Sequence, residues 1–203
     1  MAMKIINCIQ GTDEWFAARL GKITASRFGN VLCNSSGRNT YMIKLIAERL
    51  TGLAQDGYTN GAMQWGIETE PQARAYYEAL NNITVQLAGF IELDENTGGS
   101  PDGLVGEDGI LEIKCPNSTT HITTIIKGKM PTEYNPQVQG LLWITGRQWC
   151  DFISFDPRMN NRTFWSTRVF RDEKYIIVLQ EAVKQFVKEL NELIKKVTPN
   201  VPF

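Results

Sequence analysis

Residues 100–115, reading SPDGLVGEDGILEIKC, constrain this chain more than any other stretch. Two β-prone segments, 100–105 and 110–115, flank the tight connection Gly106-Glu107-Asp108-Gly109, a pattern that predicts an antiparallel hairpin. In its second strand Leu111, Ile113 and Cys115 project from one face, and Glu112 and Lys114 from the other. Two charged residues around Ile113, in an apolar strand followed by Cys-Pro, mark an interior strand rather than an edge. Buried Glu and Lys are rare unless paired or functional. Paired strands also place Asp102 beside Glu112, and adjacent carboxylates raise each other's pKa unless a cation lies between them. A hard ion that keeps several waters, such as magnesium, suits such a pair. The bland alternative is a solvated sheet face.

The hairpin needs helices to cover it, and the rest of the chain supplies them. Thr12-Asp13-Glu14-Trp15 opens a short helix closed at Gly21, and Thr24-Ala25-Ser26 caps a second through Leu32. A polar loop at 34–37 precedes a third helix from Asn39-Thr40 to Gly52. A fourth spans 62–80, where Pro71 predicts a kink or restart near Glu70. Residues 83–91 (ITVQLAGFI) read as β, 94–99 as a turn, and 150–155 and 163–170 as further strands. Helices are expected from Asn135-Pro136 to Thr145 and over 172–197, the last strongly amphipathic. The order predicts an α/β (α+β) fold: a central mixed sheet flanked by helices, in one domain over 1–203. Its helices 12–80 would pack on a core at 83–197.

Absences narrow the chemistry. A single histidine, His121, excludes His-rich zinc sites and most Ser-His-Asp hydrolases unless it alone is the base. The four cysteines form no CxxC pair and no iron–sulfur motif, and no secretory leader is recognisable, which points to a reducing cytoplasm. No Walker A loop or dinucleotide fingerprint is present. With a formal net charge of −1, any grip on DNA requires basic residues gathered on one face. His121 reads as a loop residue facing solvent or DNA, and Lys127 and Lys129 as backbone contacts or plain surface charges.

Asp102, a nine-residue gap, then Glu112-Ile113-Lys114 is the PD-(D/E)xK nuclease pattern. Around it stand Trp15, Arg19-Leu20-Gly21, Ile23-Thr24-Ala25-Ser26, Trp65-Gly66, Glu70, Ser100-Pro101-Asp102-Gly103, Gln137-Val138-Gln139, Asp156-Pro157-Arg158-Met159 and Arg171-Asp172-Glu173-Lys174-Tyr175. In that order they resemble the lambda-exonuclease-type, or YqaJ-type, viral recombinase family, over nearly the whole chain. The resemblance implies a restriction-endonuclease-like core and a magnesium-dependent 5′→3′ exonuclease on double-stranded DNA ends. Such an enzyme releases mononucleotides and leaves a 3′ overhang for a single-strand annealing protein.

It further implies two Mg2+ ions per site, replaceable by Mn2+, and a homotrimeric ring in the cytoplasm of a bacterial host of phage or prophage. Asp102, Glu112 and the Ile113 carbonyl would hold one ion, with Glu70 and Gln137 at or near the second. Lys114 would face the attacking water. Arg19, Ser26 and Ser100 would bind the 5′ phosphate, and Met63 would be the wedge that parts the terminal base pairs. Pro71, directly after Glu70, departs from the family pattern and leaves Glu68 as an alternative ligand. A metal-dependent endonuclease and a non-catalytic DNA-end scaffold are the competing classes.

Overall fold

The computed structural model describes residues 3–33, 35–55 and 61–198. The helices are α1 (Asp13–Arg19), α2 (Phe28–Leu32), α3 (Ser36–Thr51), α4 (Gly61–Asn81), α5 (Ser118–Lys127), α6 (Asn135–Thr145) and α7 (Glu173–Val197). The strands are β1 (Lys4–Ile6), β2 (Ile23–Thr24), β3 (Phe90–Glu92), β4 (Thr97–Gly99), β5 (Gly103–Val105), β6 (Gly109–Lys114), β7 (Trp149–Phe155) and β8 (Phe164–Phe170). They form two four-stranded mixed sheets, ordered β1-β3-β4-β2 and β5-β6-β7-β8. This is the expected α+β class, with a second mixed sheet beside the one that carries the hairpin. No helix among the described residues is long and apolar enough to cross a membrane.

The hairpin forms in the expected register, with Gly103 opposite Leu111 and Val105 opposite Gly109. On its other side β6 pairs in parallel with β7, so β6 is an interior strand. Residues 100–102 are not strand, because they cross from β4 in the first sheet to β5 in the second. The residues expected to carry chemistry therefore sit at the seam between the sheets. The predicted turn at 94–99 ends early, since Thr97–Gly99 is buried strand. A Cβ on Gly98 would lie 2.3 Å from the Phe90 ring, so close packing rather than turning explains that glycine. Residues 83–89 do not form the expected strand; they make one isolated bridge, Gln86 to Leu104, and pairing starts only at Phe90. β-propensity without a partner strand does not make a sheet.

Several helices depart from expectation. Helix α4 continues through Pro71 without interruption. Thr69, Ala73 and Tyr77 lie at four-residue spacing with 1%, 0% and 3% exposure, so tertiary burial on both sides of the proline holds the helix together. Helix α3 starts at Ser36, ahead of the expected Asn39. Helix α5 occupies a stretch whose β-branched residues give no strong helix signal. The Asn117 side chain accepts from Thr120 N at 2.9 Å and Gly128 closes the helix at φ +60°, while burial of His121 and Thr124 supplies the rest.

His121 is accordingly no solvent-facing loop residue. It is fully buried on α5, with Nδ1 2.7 Å from Ser154 Oγ and Nε2 2.7 Å from the Arg162 carbonyl. Helix α7 forms as expected: Asp172 accepts from Lys174 N and Tyr175 N, and Ile176, Leu179, Val183, Phe186 and Leu190 are buried. Each such side chain contributes roughly 1.5–3 kcal/mol of burial. The core they join also contains Phe28, Leu45, Leu141 and Phe152, so N-terminal and C-terminal helices share one apolar cluster.

Candidate active site

Strand alternation puts Glu112 and Lys114 on the same face of β6, and Lys114 Nζ lies 2.6 Å from Glu112 Oε1. The same oxygen accepts from Gln137 Nε2 at 2.6 Å, a residue in the first turn of α6. Glu112 is fully buried, and its other oxygen, Oε2, has no hydrogen-bond partner. Asp102 is pinned to the neighbouring strand, its N–H donating to the Leu111 carbonyl at 3.0 Å and its Oδ2 accepting from Ile113 N at 2.6 Å. From α4, Glu70 is held by Arg74 Nη1 at 2.9 Å, and the same nitrogen donates to the Asp102 carbonyl at 3.3 Å.

These carboxylates are electrostatically strained. Burial, then the charges of Glu112 and Glu70, push the Asp102 carboxyl well above the usual range. Burial likewise raises Glu112, against the pull of Lys114. Burial works against the Lys114 ammonium, but Glu112 and Asp102 outweigh it and hold its pKa above the ordinary lysine value.

An unpartnered buried carboxylate oxygen beside two further carboxylates is a site that a cation relieves, and the donors are hard oxygens. Among the described residues no group of three or more His, Cys, Asp and Glu forms a ready-made metal site. The donor set of Asp102, Glu112 and a backbone carbonyl therefore suits an ion that retains water, such as magnesium, better than one needing a closed cage.

A cavity of about 180 Å³ opens over this face. Its walls bring together Arg19, Ser26, Glu70, Ser100, Asp102, Glu112, Ile113, Lys114 and Gln137. Every residue singled out from the sequence for this site lines it except Met63, which lies on α4 with its side chain outside the described residues. Despite Pro71 it is Glu70 that reaches the cavity; Glu68 is exposed and accepts from Gln64 Nε2 at 2.6 Å. Ser26 stands on a one-turn 3-10 segment, Ala25–Arg27, rather than in an α-helix, with its hydroxyl 3.3 Å from Thr24 Oγ1. Ser100 Oγ accepts from Trp15 Nε1 at 2.8 Å, and the Arg19 guanidinium lies 3.8 Å from the centre of the Trp15 ring. Lys127 and Lys129 lie away from this cavity, at the end of α5 and just beyond it.

Sequence reasoning gave no role to several residues that shape the site. Arg74 stands four residues from Glu70 on one helix, a spacing that would have flagged the pair. Gln10 Nε2 donates to the Pro101 carbonyl at 3.0 Å and steadies the segment before Asp102; no local pattern announces it. Tyr134 places its ring 5.2 Å from Lys114 Nζ. Directly after β7, Asp156 is fully buried, accepts from Arg158 Nε at 2.7 Å and from Ser118 Oγ at 2.6 Å, and holds Arg158 against Trp65.

Residues 14–148 match the YqaJ-like viral recombinase domain. Among solved structures the chain is similar to the alkaline exonuclease LHK-Exo from Laribacter hongkongensis, at 46% identity and a TM-score of 0.87. That match covers 92% of this chain and 96% of that one. The same exonuclease in complex with dAMP matches with a TM-score of 0.88. A phage related exonuclease from Haemophilus somnus 129PT shares the fold at 17% identity, with a TM-score of 0.67 over 87% of this chain and 96% of its own. The Escherichia coli K12 protein ExoD is 30% identical over 64 residues, which is 32% of this chain and 74% of ExoD.

Proposed function

This chain belongs to the YqaJ-like viral recombinase domain family, and from that premise we propose that it is a metal-dependent 5′→3′ exonuclease acting on double-stranded DNA ends. The observation that carries the reading is the shared cavity. Asp102, Glu112, Glu70 and Lys114 line it together with Arg19, Ser26 and Ser100, so one pocket offers both a charged hydrolytic face and donors for a terminal phosphate. Its relative LHK-Exo is an alkaline exonuclease crystallised with dAMP, and a mononucleotide is what stepwise digestion of a strand releases.

Asp102, Glu112 and the Ile113 carbonyl would hold one magnesium ion, with manganese as a substitute, and Glu70 and Gln137 would serve at or near a second. Such an ion, when bound, lowers the pKa of a water and draws charge from the phosphoryl oxygens. Lys114, kept protonated by its carboxylate neighbours, orients the attacking water and stabilises the charge that builds on the phosphate in the transition state. Arg19 makes charge-assisted hydrogen bonds to the 5′ phosphate, with the Ser26 and Ser100 hydroxyls beside it. Met63, at the start of α4, parts the terminal base pairs. A closed homotrimer around the duplex would keep the enzyme on its track and pass the 3′ overhang to a single-strand annealing protein inside the bacterial host.

The test is digestion of linear duplexes bearing 5′-phosphate or 5′-hydroxyl ends, alongside closed circular duplex, with magnesium, manganese or EDTA. Faster release of mononucleotides from phosphorylated ends, an intact circle, and no release in EDTA are expected. Cleavage of the circle would make the protein an endonuclease, and digestion in excess EDTA would remove the metal.

A further inference from the structure

Helix α1 has seven residues, and none of them is buried. An isolated helix of that length is unstable in water, so something must dock it if Arg19, its last residue, is to hold a fixed place. Trp15 makes a side-chain hydrogen bond that leaves the helix, and it also contacts Arg19 along it. Its indole N–H donates to Ser100 Oγ at 2.8 Å, a bond spanning 85 positions in the chain. Within the helix its ring lies under the Arg19 guanidinium at 3.8 Å and packs T-shaped against Phe16, ring centroids 5.1 Å apart. One side chain thus touches both a basic and a hydroxyl member of the pocket, and ties the helix to the segment between β4 and β5.

The two contacts act differently on a phosphate site. Stacking uses the face of a guanidinium, whereas its N–H donors lie in the plane of the fork, so a stacked arginine is fixed in orientation without losing donor directions. Donation from the indole occupies a lone pair of the Ser100 oxygen and so directs the Ser100 O–H proton elsewhere, since a hydroxyl has one proton and two acceptor sites. With its proton turned away from the indole, the hydroxyl is free to donate to a phosphate oxygen. Indole is the only natural side chain with a broad aromatic face and an edge N–H that donates and never accepts.

From this geometry we propose that Trp15 is the positioning residue of the 5′-phosphate pocket, setting the Arg19 fork and the Ser100 hydroxyl in one rigid unit and thereby determining the preference for phosphorylated ends. The proposal rests on the exonuclease reading above. It assigns Trp15 a role through Arg19 and Ser100 rather than in contact with the reacting atoms.

The experiment compares initial rates on duplexes with 5′-phosphate and 5′-hydroxyl ends for wild type, Trp15→Phe and Trp15→Leu. The readout is the ratio of the two rates, which loss of folded enzyme leaves unchanged because both substrates report the same molecules. Trp15→Leu, lacking ring and N–H, should lower the ratio by at least about tenfold, the scale of one charge-assisted hydrogen bond. Trp15→Phe keeps the stack and loses the N–H, so its ratio should fall between the two. Trp15→Leu with the wild-type ratio, or both rates reduced in proportion, would overturn the assignment while leaving the exonuclease reading intact. A wild type that digests both ends equally would overturn the phosphate pocket and this role together. A Trp15→Phe ratio as low as that of Trp15→Leu would overturn the part given to the stack.

Discussion

An ammonium 2.6 Å from a fully buried carboxylate is part of that carboxylate's solvation, so Lys114 has two duties on strand β6. It offsets charge on Glu112, and it faces the cavity where a phosphate would be cleaved. Lys114→Ala should lower single-turnover cleavage by at least about 100-fold, as loss of a transition-state donor does, while anisotropy shows duplex binding preserved. Turnover near wild type would contradict the role. Asp156 poses a different question, since it does not line the cavity. Despite its burial, hydrogen bonds from Arg158 and Ser118 hold its carboxyl at about 2, below the usual 3.8. A carboxyl lowered on folding contributes stability above its unfolded pKa and loses it as pH falls through the folded value. The contribution is therefore complete at neutral pH and fades from about pH 4 towards pH 2. Because the Arg158 side chain is half exposed, Asp156→Asn should cost about 1–2 kcal/mol in urea unfolding at pH 7. The gap to wild type should narrow as pH falls through that window; a gap independent of pH would refute the assignment.

At the scale of elements, α4 carries Glu70 to the site across a proline whose ring lacks the N–H that would bond to the Ile67 carbonyl. Pro71→Ala restores that bond but relaxes the unfolded chain, so the net gain should be about 1–2 kcal/mol, read as a higher melting temperature. A lower melting temperature would mean that the proline's restriction of the unfolded chain outweighs the restored bond. Pro71 also illustrates what a sequence conveys. Local rules say that proline ends a helix, yet Thr69, Ala73 and Tyr77 bury the helix on both sides of it. The hairpin and α7 were legible because their periodicity is strong and their turn and cap are local. Helix α5 was not, because Asn117 and Gly128 bracket β-branched residues whose helicity depends on burying His121 and Thr124. Of the site, Glu112 and Lys114 were legible from strand alternation and Asp102 from the hairpin pairing. Arg19, Ser26, Ser100, Glu70 and Gln137 emerged only through the family pattern, because they converge from separate elements. Gln10 and Tyr134 escaped both, since their roles exist only in three dimensions.

For the whole molecule, size and charge set the terms of any hold on DNA. A folded chain of 203 residues has a radius of gyration of about 17 Å, too small to encircle a duplex alone. A net charge of −1 gives no general attraction to phosphate, so any hold on DNA would have to come from enclosure or from basic groups gathered on one face. A closed ring with cyclic symmetry supplies enclosure, and three copies are the number the family resemblance implies. Light scattering at assay concentration should give the mass of three 22.9 kDa chains. Titration with a blunt duplex carrying one accessible end should saturate at one duplex per three chains, because a ring threaded by one end excludes a second. Lys114→Ala protein is suited to that titration, since it should bind without consuming the DNA. A stable monomer, or one duplex per chain, would overturn the ring.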